Sequence, residues 1–227
     1  MSSIHSSLPS FHSPILPPYI QLREYYSYDY GTYTKEIVSR KFREAPHRKP
    51  ISLLYDPKAF IVALHIRVGD ITPTNEDYFI KVLTQALPAL EGTPYRVHVF
   101  AEKKGAEDYG KLVELVGKER IVFHPDMAPF ETFYHLTQAH VFVMSASGFS
   151  QFPAVAGTKA LVFSPPSREK FPLKFCPPFS VCCLKDGTFE LDGLLRLRWR
   201  IERWSKTQRL EKDVADLKAV LSREATQ

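Results

Sequence analysis

The residues best placed to do chemistry lie in Phe60–Asp70, where the apolar run Phe-Ile-Val-Ala-Leu leads into His65, Ile66, Arg67, Val68, Gly69 and Asp70. In open parallel α/β sheets, ligands bind beyond the carboxyl ends of the strands, so a cation delivered there points to an anion site. Arginine suits a diphosphate because its planar fork stays charged and donates two parallel hydrogen bonds to phosphate oxygens. Gly69 lets the backbone approach the same group. The plainer alternative is a surface ion pair between Arg67 and Asp70, with His65 a satisfied histidine at a strand end.

A second group follows much later. Phe142–Ser150, Phe-Val-Met-Ser-Ala-Ser-Gly-Phe-Ser, reads as a strand running into a serine- and glycine-rich turn and then a helix. Backbone N–H groups, hydroxyls and the positive end of a helix dipole together make an anion cradle. At the same sheet edge as Arg67, that cradle would hold phosphates from the other side. The competing role for Ser147 or Ser150 is helix capping. Neither serine sits in a Gly-x-Ser-x-Gly elbow, which argues against a hydrolase nucleophile. No Gly-x-Gly-x-x-Gly follows a strand, which argues against a dinucleotide cofactor.

Positioning these groups requires a regular frame, and the hydrophobic pattern supplies one. Strands are predicted over residues 60–68, 95–101, 120–124, 141–145 and 160–164. Helices are predicted over 75–90, with Thr74 as N-cap, and over 107–116, 130–139 and 149–156. Strands separated by helices imply an α/β fold, a Rossmann-like parallel sheet with flanking helices. Prolines at 165, 166, 172, 177 and 178 interrupt the pattern before a last strand over 179–184 and the Asp186-Gly187 turn. The chain thus divides into three parts. Residues 1–50 form a Ser/Pro-rich, partly disordered leader with a Tyr-rich helical segment, 51–190 the Rossmann-like domain, and 191–227 a C-terminal helix. Leu210, Val214, Leu217 and Leu221 make a stripe on that helix, expected to pack on its own domain in preference to a partner helix. Arg196, Arg198, Arg200 and Arg203 read as a solvated face.

Composition narrows the function classes. With 44% hydrophobic and 13% aromatic residues in 227, the chain can build a core, which excludes a disordered protein. A net charge of +5 fits a phosphate-bearing ligand without singling out nucleic acid. Cys176, Cys182 and Cys183 are odd in number and two are adjacent, so they suit neither a disulfide framework nor a metal site and read as small core or surface thiols. No run reaches the ~18 apolar residues of a membrane span. Met1–Pro18 lacks the basic end and apolar centre of a signal peptide, so the chain reads as soluble and untargeted.

The two motifs in this order resemble a family. His65-Ile66-Arg67-Val68-Gly69-Asp70, followed by Phe133-Tyr134-His135-Leu136-Thr137-Gln138-Ala139-His140 and Val141–Ser150, is similar to the donor-binding half of GDP-fucose-dependent fucosyltransferases. These are the superfamily of α1,2-, α1,6- and protein O-fucosyltransferases. Its members share a His-x-Arg motif after a strand and a late Ser-rich turn. The resemblance spans about Phe60–Gly157, with a weaker echo in Lys185–Phe189. It implies one half of a two-domain GT-B glycosyltransferase. It further implies that Arg67 contacts the β-phosphate and stabilises the departing GDP, and that His65 lies beside the nucleoside with Gly69 and Asp70 in the same motif. Ser145, Ser147 and Gly148 would surround the pyrophosphate, together with Phe149 and Ser150 of the same turn. Glu131 or Asp126 would read the guanine edge.

Three departures stand out. Val68 replaces the second arginine of many relatives, and His140 replaces the usual aspartate after alanine. Only Met1–Pro50 precedes the donor domain, so the acceptor site and any catalytic base of the front half are expected to be missing. The function implied is transfer of fucose from GDP-fucose to a glycan or protein hydroxyl by a metal-independent, inverting mechanism. No cofactor is expected, and relatives act in the Golgi or secretory pathway. The alternatives are a nucleotide-sugar-binding module without turnover and, behind it, a nucleic-acid-binding domain suggested by charge and the arginine-rich tail.

Overall fold

The computed structural model describes residues 40, 44, 51–67, 76–102, 106–157, 160–165 and 180–224. Gly69, Asp70, Thr74, Cys176 and nearly all of the 1–50 leader, with its Tyr-rich segment, lie outside them.

The apolar run at residues 60–66 forms β1 (Phe60–Ile66), buried at every position. A strand buried on both faces belongs at the centre of a parallel sheet, and β1 lies there. It pairs in parallel with β2 (Tyr95–Ala101) on one side and β4 (Val141–Val143) on the other. β3 (Ile121–Pro125) lies outside β2, while β5 (Leu161–Ser164) and β6 (Ser180–Cys182) continue beyond β4. The six strands run in the order β3-β2-β1-β4-β5-β6, all parallel. This is an α/β, Rossmann-like sheet, and its order reverses between β1 and β4.

Because side chains alternate along a strand, the sheet sorts its residues onto two faces. Val62, Leu64, Val97, Val99 and Val143 pack with Phe79 and Leu83 of α1 (Glu76–Ala86), Leu112 of α2 (Gly110–Val116) and Leu197 of α5 (Leu191–Glu224). Ile61, Ala63, Phe100 and Phe142 pack on the other face against Leu136 of α3 (Pro129–Gln138) and Ala154 of α4 (Gly148–Ala156). Each fully buried Leu or Phe stabilises the fold by about 1.5–3 kcal/mol.

Several boundaries differ from the pattern-based expectation, each for a local reason. α1 stops at Ala86 and continues as a 3-10 turn, Leu87–Leu90, because Pro88 has no N–H to extend an α-helix. A 3-10 turn, Ala106–Tyr109, likewise precedes α2. β1 ends at Ile66 and β4 at Val143, so Arg67 and Ser145 both stand past the ladder. Gly187, at φ 94°, packs so tightly that a Cβ there would sit 2.3 Å from the Tyr78 carbonyl oxygen.

His140, at the amino end of β4, is structural. The Ile61 N–H donates to its Nδ1 at 2.9 Å, and its ring stacks on Phe60 at 4.9 Å and meets Trp204 of α5 edge-on. That contact helps anchor the first half of α5. The expectation that the Leu210 stripe packs on its own domain is not met at Leu210 and Val214, which are 64% and 50% exposed. A helix of 34 residues is about 50 Å long, and the inward contacts come from Leu197, Ile201 and Trp204. The solvated arginine face also needs amending. Arg198 and Arg203 are exposed, but Arg196, paired with Asp192, and Arg200 are half-buried; among the described residues the Arg200 Nε has no hydrogen-bond partner, and burial lowers its pKa. No helix among the described residues is long and apolar enough to cross a membrane.

Candidate functional site

Reversal of strand order between β1 and β4 opens a crevice at their carboxyl ends, where doubly wound sheets bind ligands. β1 brings His65 to that edge, and the turn after β4 brings the serines. His65 Nδ1 lies 2.6 Å from Ser150 Oγ and 3.3 Å from Ser145 Oγ, and the two hydroxyls are 3.0 Å apart. Phe149 tilts over the imidazole at 5.0 Å between centroids. All three polar residues are buried, His65 at 6% exposure and both serines at 0%. Burial, then the nearby Arg67 charge, lowers the His65 pKa to about 4, so the ring is neutral at physiological pH. The cluster thus fastens β1 to the start of α4. Ser147 caps that helix, its Oγ accepting from the Phe149 N–H at 3.2 Å.

Beside this cluster lies a cavity of about 130 Å³, lined by His65 and Arg67 from the β1 end, Phe100 and Glu102 from the β2 end, and His124 and Asp126 at the β3 end, among others. Sites that enclose a whole small molecule run to roughly 300–1,000 Å³. A cavity of this size therefore takes one ring or one phosphate group. Arg67 stands at the rim with its side chain 30% exposed, its Nη1 donating to Glu102 Oε1. Asp126 takes a left-handed backbone, φ 51°, which aspartate tolerates better than most residues. Its N–H donates to the Ala101 carbonyl at 3.3 Å. Two carboxylates, Glu102 and Asp126, one guanidinium and an aromatic wall thus converge on a small space.

No family model and no curated protein matches this chain.

The geometry sorts the residues singled out in the sequence. His65, Ser145, Phe149 and Ser150 come together at one end of the sheet, and Arg67 lines the cavity next to them. Among the described residues Arg67 forms an ion pair with Glu102; Asp70, the partner expected from the sequence, and Gly69 lie outside the described residues. The Ser145 and Ser150 hydroxyls do not face a ligand as expected for an anion cradle. They point inward because a buried imidazole must be hydrogen-bonded, and the same burial leaves Ser150 out of reach as a nucleophile. Gly148, the exposed first residue of α4, is what the turn presents to solvent. Of the two acidic residues, Asp126 lines the cavity. Glu131 does not; it is exposed in the first turn of α3, where its backbone oxygen accepts from His135 Nδ1 at 2.7 Å.

Glu102 and a histidine array escaped the sequence reading. His98 Nδ1 and His124 Nε2 lie 2.9 Å apart, their rings within 7° of parallel, and His124 also stacks on Phe100 at 4.6 Å. Burial, with neighbouring positive charge, lowers His98 to about 3 and His124 to about 4. Both rings are therefore neutral, and one donates to the other. His135 has both nitrogens engaged, since Leu54 N–H donates to its Nε2. Among the described residues no group of three or more His, Cys, Asp or Glu is arranged to hold a metal ion. The available signal was alternation: His98 and Phe100 are two apart on β2, and Phe100 is in register with His124 on β3. Glu102 follows β2 as Arg67 follows β1.

Proposed function

We propose that this domain binds the donor of a GDP-sugar and acts as a fucosyltransferase-like glycosyltransferase, passing fucose to a glycan or protein hydroxyl. The observation that carries the reading is one cavity over the carboxyl ends of β1, β2 and β3, lined by Asp126 with Arg67 at its rim, beside the His65–serine cluster. The cavity is suited to one end of the donor. Asp126 would accept hydrogen bonds from the guanine N–H edge, with Phe100 and His124 as its apolar and aromatic wall. Arg67, at the rim and released from Glu102, would turn outward to take the β-phosphate beyond the cavity.

In the transfer the acceptor hydroxyl oxygen attacks the anomeric carbon as that carbon's bond to the β-phosphate oxygen breaks, the hydroxyl proton passes to solvent or to the departing diphosphate, and negative charge gathers on GDP. A preorganised cation at that oxygen lowers the barrier, and loss of one such donor typically costs ~10²–10³ in rate. Arg67 supplies that charge without a divalent metal. A neutral His65, locked by two serines, holds the end of β1 and so the arginine beside it.

Binding without turnover is the second reading, favoured by a cavity of about 130 Å³ that has room for one ring or phosphate of the donor and none for an acceptor. Calorimetric titration with GDP in EDTA tests the site. Arg67→Ala should weaken binding about 10- to 100-fold, the equivalent of a charge-assisted hydrogen bond of about 1.5–3 kcal/mol, while Arg203→Ala on exposed α5 leaves it unchanged. Release of fucose or GDP from GDP-fucose then separates enzyme from module. Absence of GDP binding, or equal losses in both variants, would overturn the assignment.

A further inference from the structure

Among the described residues, the side chains lining the cavity are rich in acceptors and short of donors. Its carboxylates, Glu102 and Asp126, can only accept hydrogen bonds, and its guanidinium, Arg67, stands at the rim paired with Glu102. The Thr132 hydroxyl, also in the lining, gives its proton to the Met127 carbonyl at 3.3 Å. The His65 ring is tied through Nδ1 to the two serines and belongs to β1, two strands from β3 and so about 10 Å from it. His124 differs from all of these. It lines the cavity two residues before Asp126 on the same segment, so the two can flank one edge of a single ring.

The hydrogen bonds of His124 leave it one polar atom for a ligand. Nε2 is committed to His98 Nδ1 at 2.9 Å, and the ring packs against those of His98 and Phe100, so Nδ1 is what this side chain offers the cavity. Two neutral imidazoles joined in this way share one proton across their contact. If His98 donates, His124 carries its own proton on Nδ1; if His124 donates, Nδ1 is a bare acceptor. His135, which also meets the Phe100 ring, has no such freedom. Its Nδ1 faces the Glu131 carbonyl, which only accepts, and its Nε2 takes the Leu54 N–H.

We propose that His124 is a specificity-determining residue of this site: it donates from Nδ1 to the 6-oxygen of the base, while Asp126 accepts from the N–H groups beside that oxygen. The inference deepens the donor reading above and rests on it. The chemistry of the base selects the direction of the shared proton. Guanine presents a carbonyl oxygen next to a ring N–H, and a buried acceptor has to meet a donor. Binding thereby places the shared proton on His98 Nδ1, so that both rings of the pair are Nδ1–H tautomers in the complex. His98 acts only through His124 and is a positioning residue. Adenine puts a bare ring nitrogen against the Asp126 carboxylate, two acceptors facing each other, and this arrangement rejects it.

Calorimetry in EDTA with GDP and with 6-thio-GDP, which keeps the N–H groups of guanine and replaces the 6-oxygen by a poor acceptor, tests the contact. The parent protein should bind GDP about 3- to 10-fold more tightly than 6-thio-GDP, the range of one neutral hydrogen bond. His124→Phe, which keeps an aromatic ring against Phe100, should erase that preference, while Arg67→Ala should weaken both ligands by the same factor. Nitrogen NMR on protein with labelled histidine reads the tautomers directly: with GDP bound, His98 and His124 should both carry their proton on Nδ1. No binding of GDP to the parent protein overturns the donor reading and this inference with it. Three results overturn the inference alone and leave the donor reading standing: GDP binding with no preference over 6-thio-GDP, a preference that survives in His124→Phe, or a His124 proton on Nε2 in the complex.

Discussion

Acidification from about pH 7 to about pH 5 should cost this fold about 2 kcal/mol through His65 alone. The side chain is nearly enclosed, 6% exposed, between Ser145, Ser150 and the ring of Phe149, and its pKa is lowered from 6.5 to about 4. In the unfolded chain the imidazole takes its proton near pH 6.5, whereas in the fold it stays neutral until about pH 4. Between those values the unfolded state binds more protons. The stability is therefore fully present above about pH 6.5 and is lost as the pH falls toward about 4. Near pH 5 the unfolded side chain is almost wholly protonated and the folded one only about a tenth so; at about 1.4 kcal/mol per pKa unit, the change from neutrality integrates to about 2 kcal/mol. His98, 3% exposed and lowered to about 3, acts with the same sign. Together they remove a large part of a typical reserve of about 5–15 kcal/mol. Urea midpoints followed by circular dichroism across this pH range provide the assay. His65→Gln, which keeps a hydrogen-bonding side chain but cannot titrate, should be less stable near neutrality and should lose about one proton's worth of the slope. Equal stability of the parent protein at both ends of the range, or an undiminished slope in His65→Gln, would refute the reasoning.

Other outcomes follow from single contacts. Glu102→Gln should tighten GDP binding by up to ~5-fold, because it releases Arg67 from a partly exposed ion pair worth about 0–1 kcal/mol; unchanged affinity in calorimetry would show that the pair does not compete with the ligand. Arg67→Lys should fall between the parent and Arg67→Ala, since it keeps the charge and loses the fork; affinity equal to the parent would exclude a bidentate contact. Gly187→Ala should be strongly destabilising, by several kcal/mol, since a left-handed residue would also drive its Cβ into the Tyr78 carbonyl; a thermal midpoint within a degree or two of the parent would contradict that packing. Cys182 is exposed, while burial pushes the Cys183 thiol up to about 12; thiol-reactive dye should label Cys182 quickly and Cys183 only on unfolding, as mass spectrometry of digests can read.

Local pattern was enough for the frame of this protein. Unbroken apolar runs at Phe60–Leu64 and Val141–Val143 mark strands buried on both faces, and their spacing by helical segments implies a parallel sheet with the His65–Arg67 and Ser145–Ser150 stretches at one edge. Period and chain order carry that information, and neither depends on a distant partner. What the side chains do there depended on the tertiary structure. The serines could be anion donors or structural partners. Only the closeness of Ser150 to His65, 85 residues apart, turned their hydroxyls inward. Arg67 found Glu102 because β1 and β2 are neighbours, a relation that strand order decides and sequence distance does not reveal. The histidine array required β2 and β3 to bring His98 and Phe100 against His124, and each histidine alone looks like an ordinary core residue. For α5, the heptad spacing showed an apolar stripe. Which of its two faces the domain would cover was decided by where Phe60, His140 and Trp204 meet.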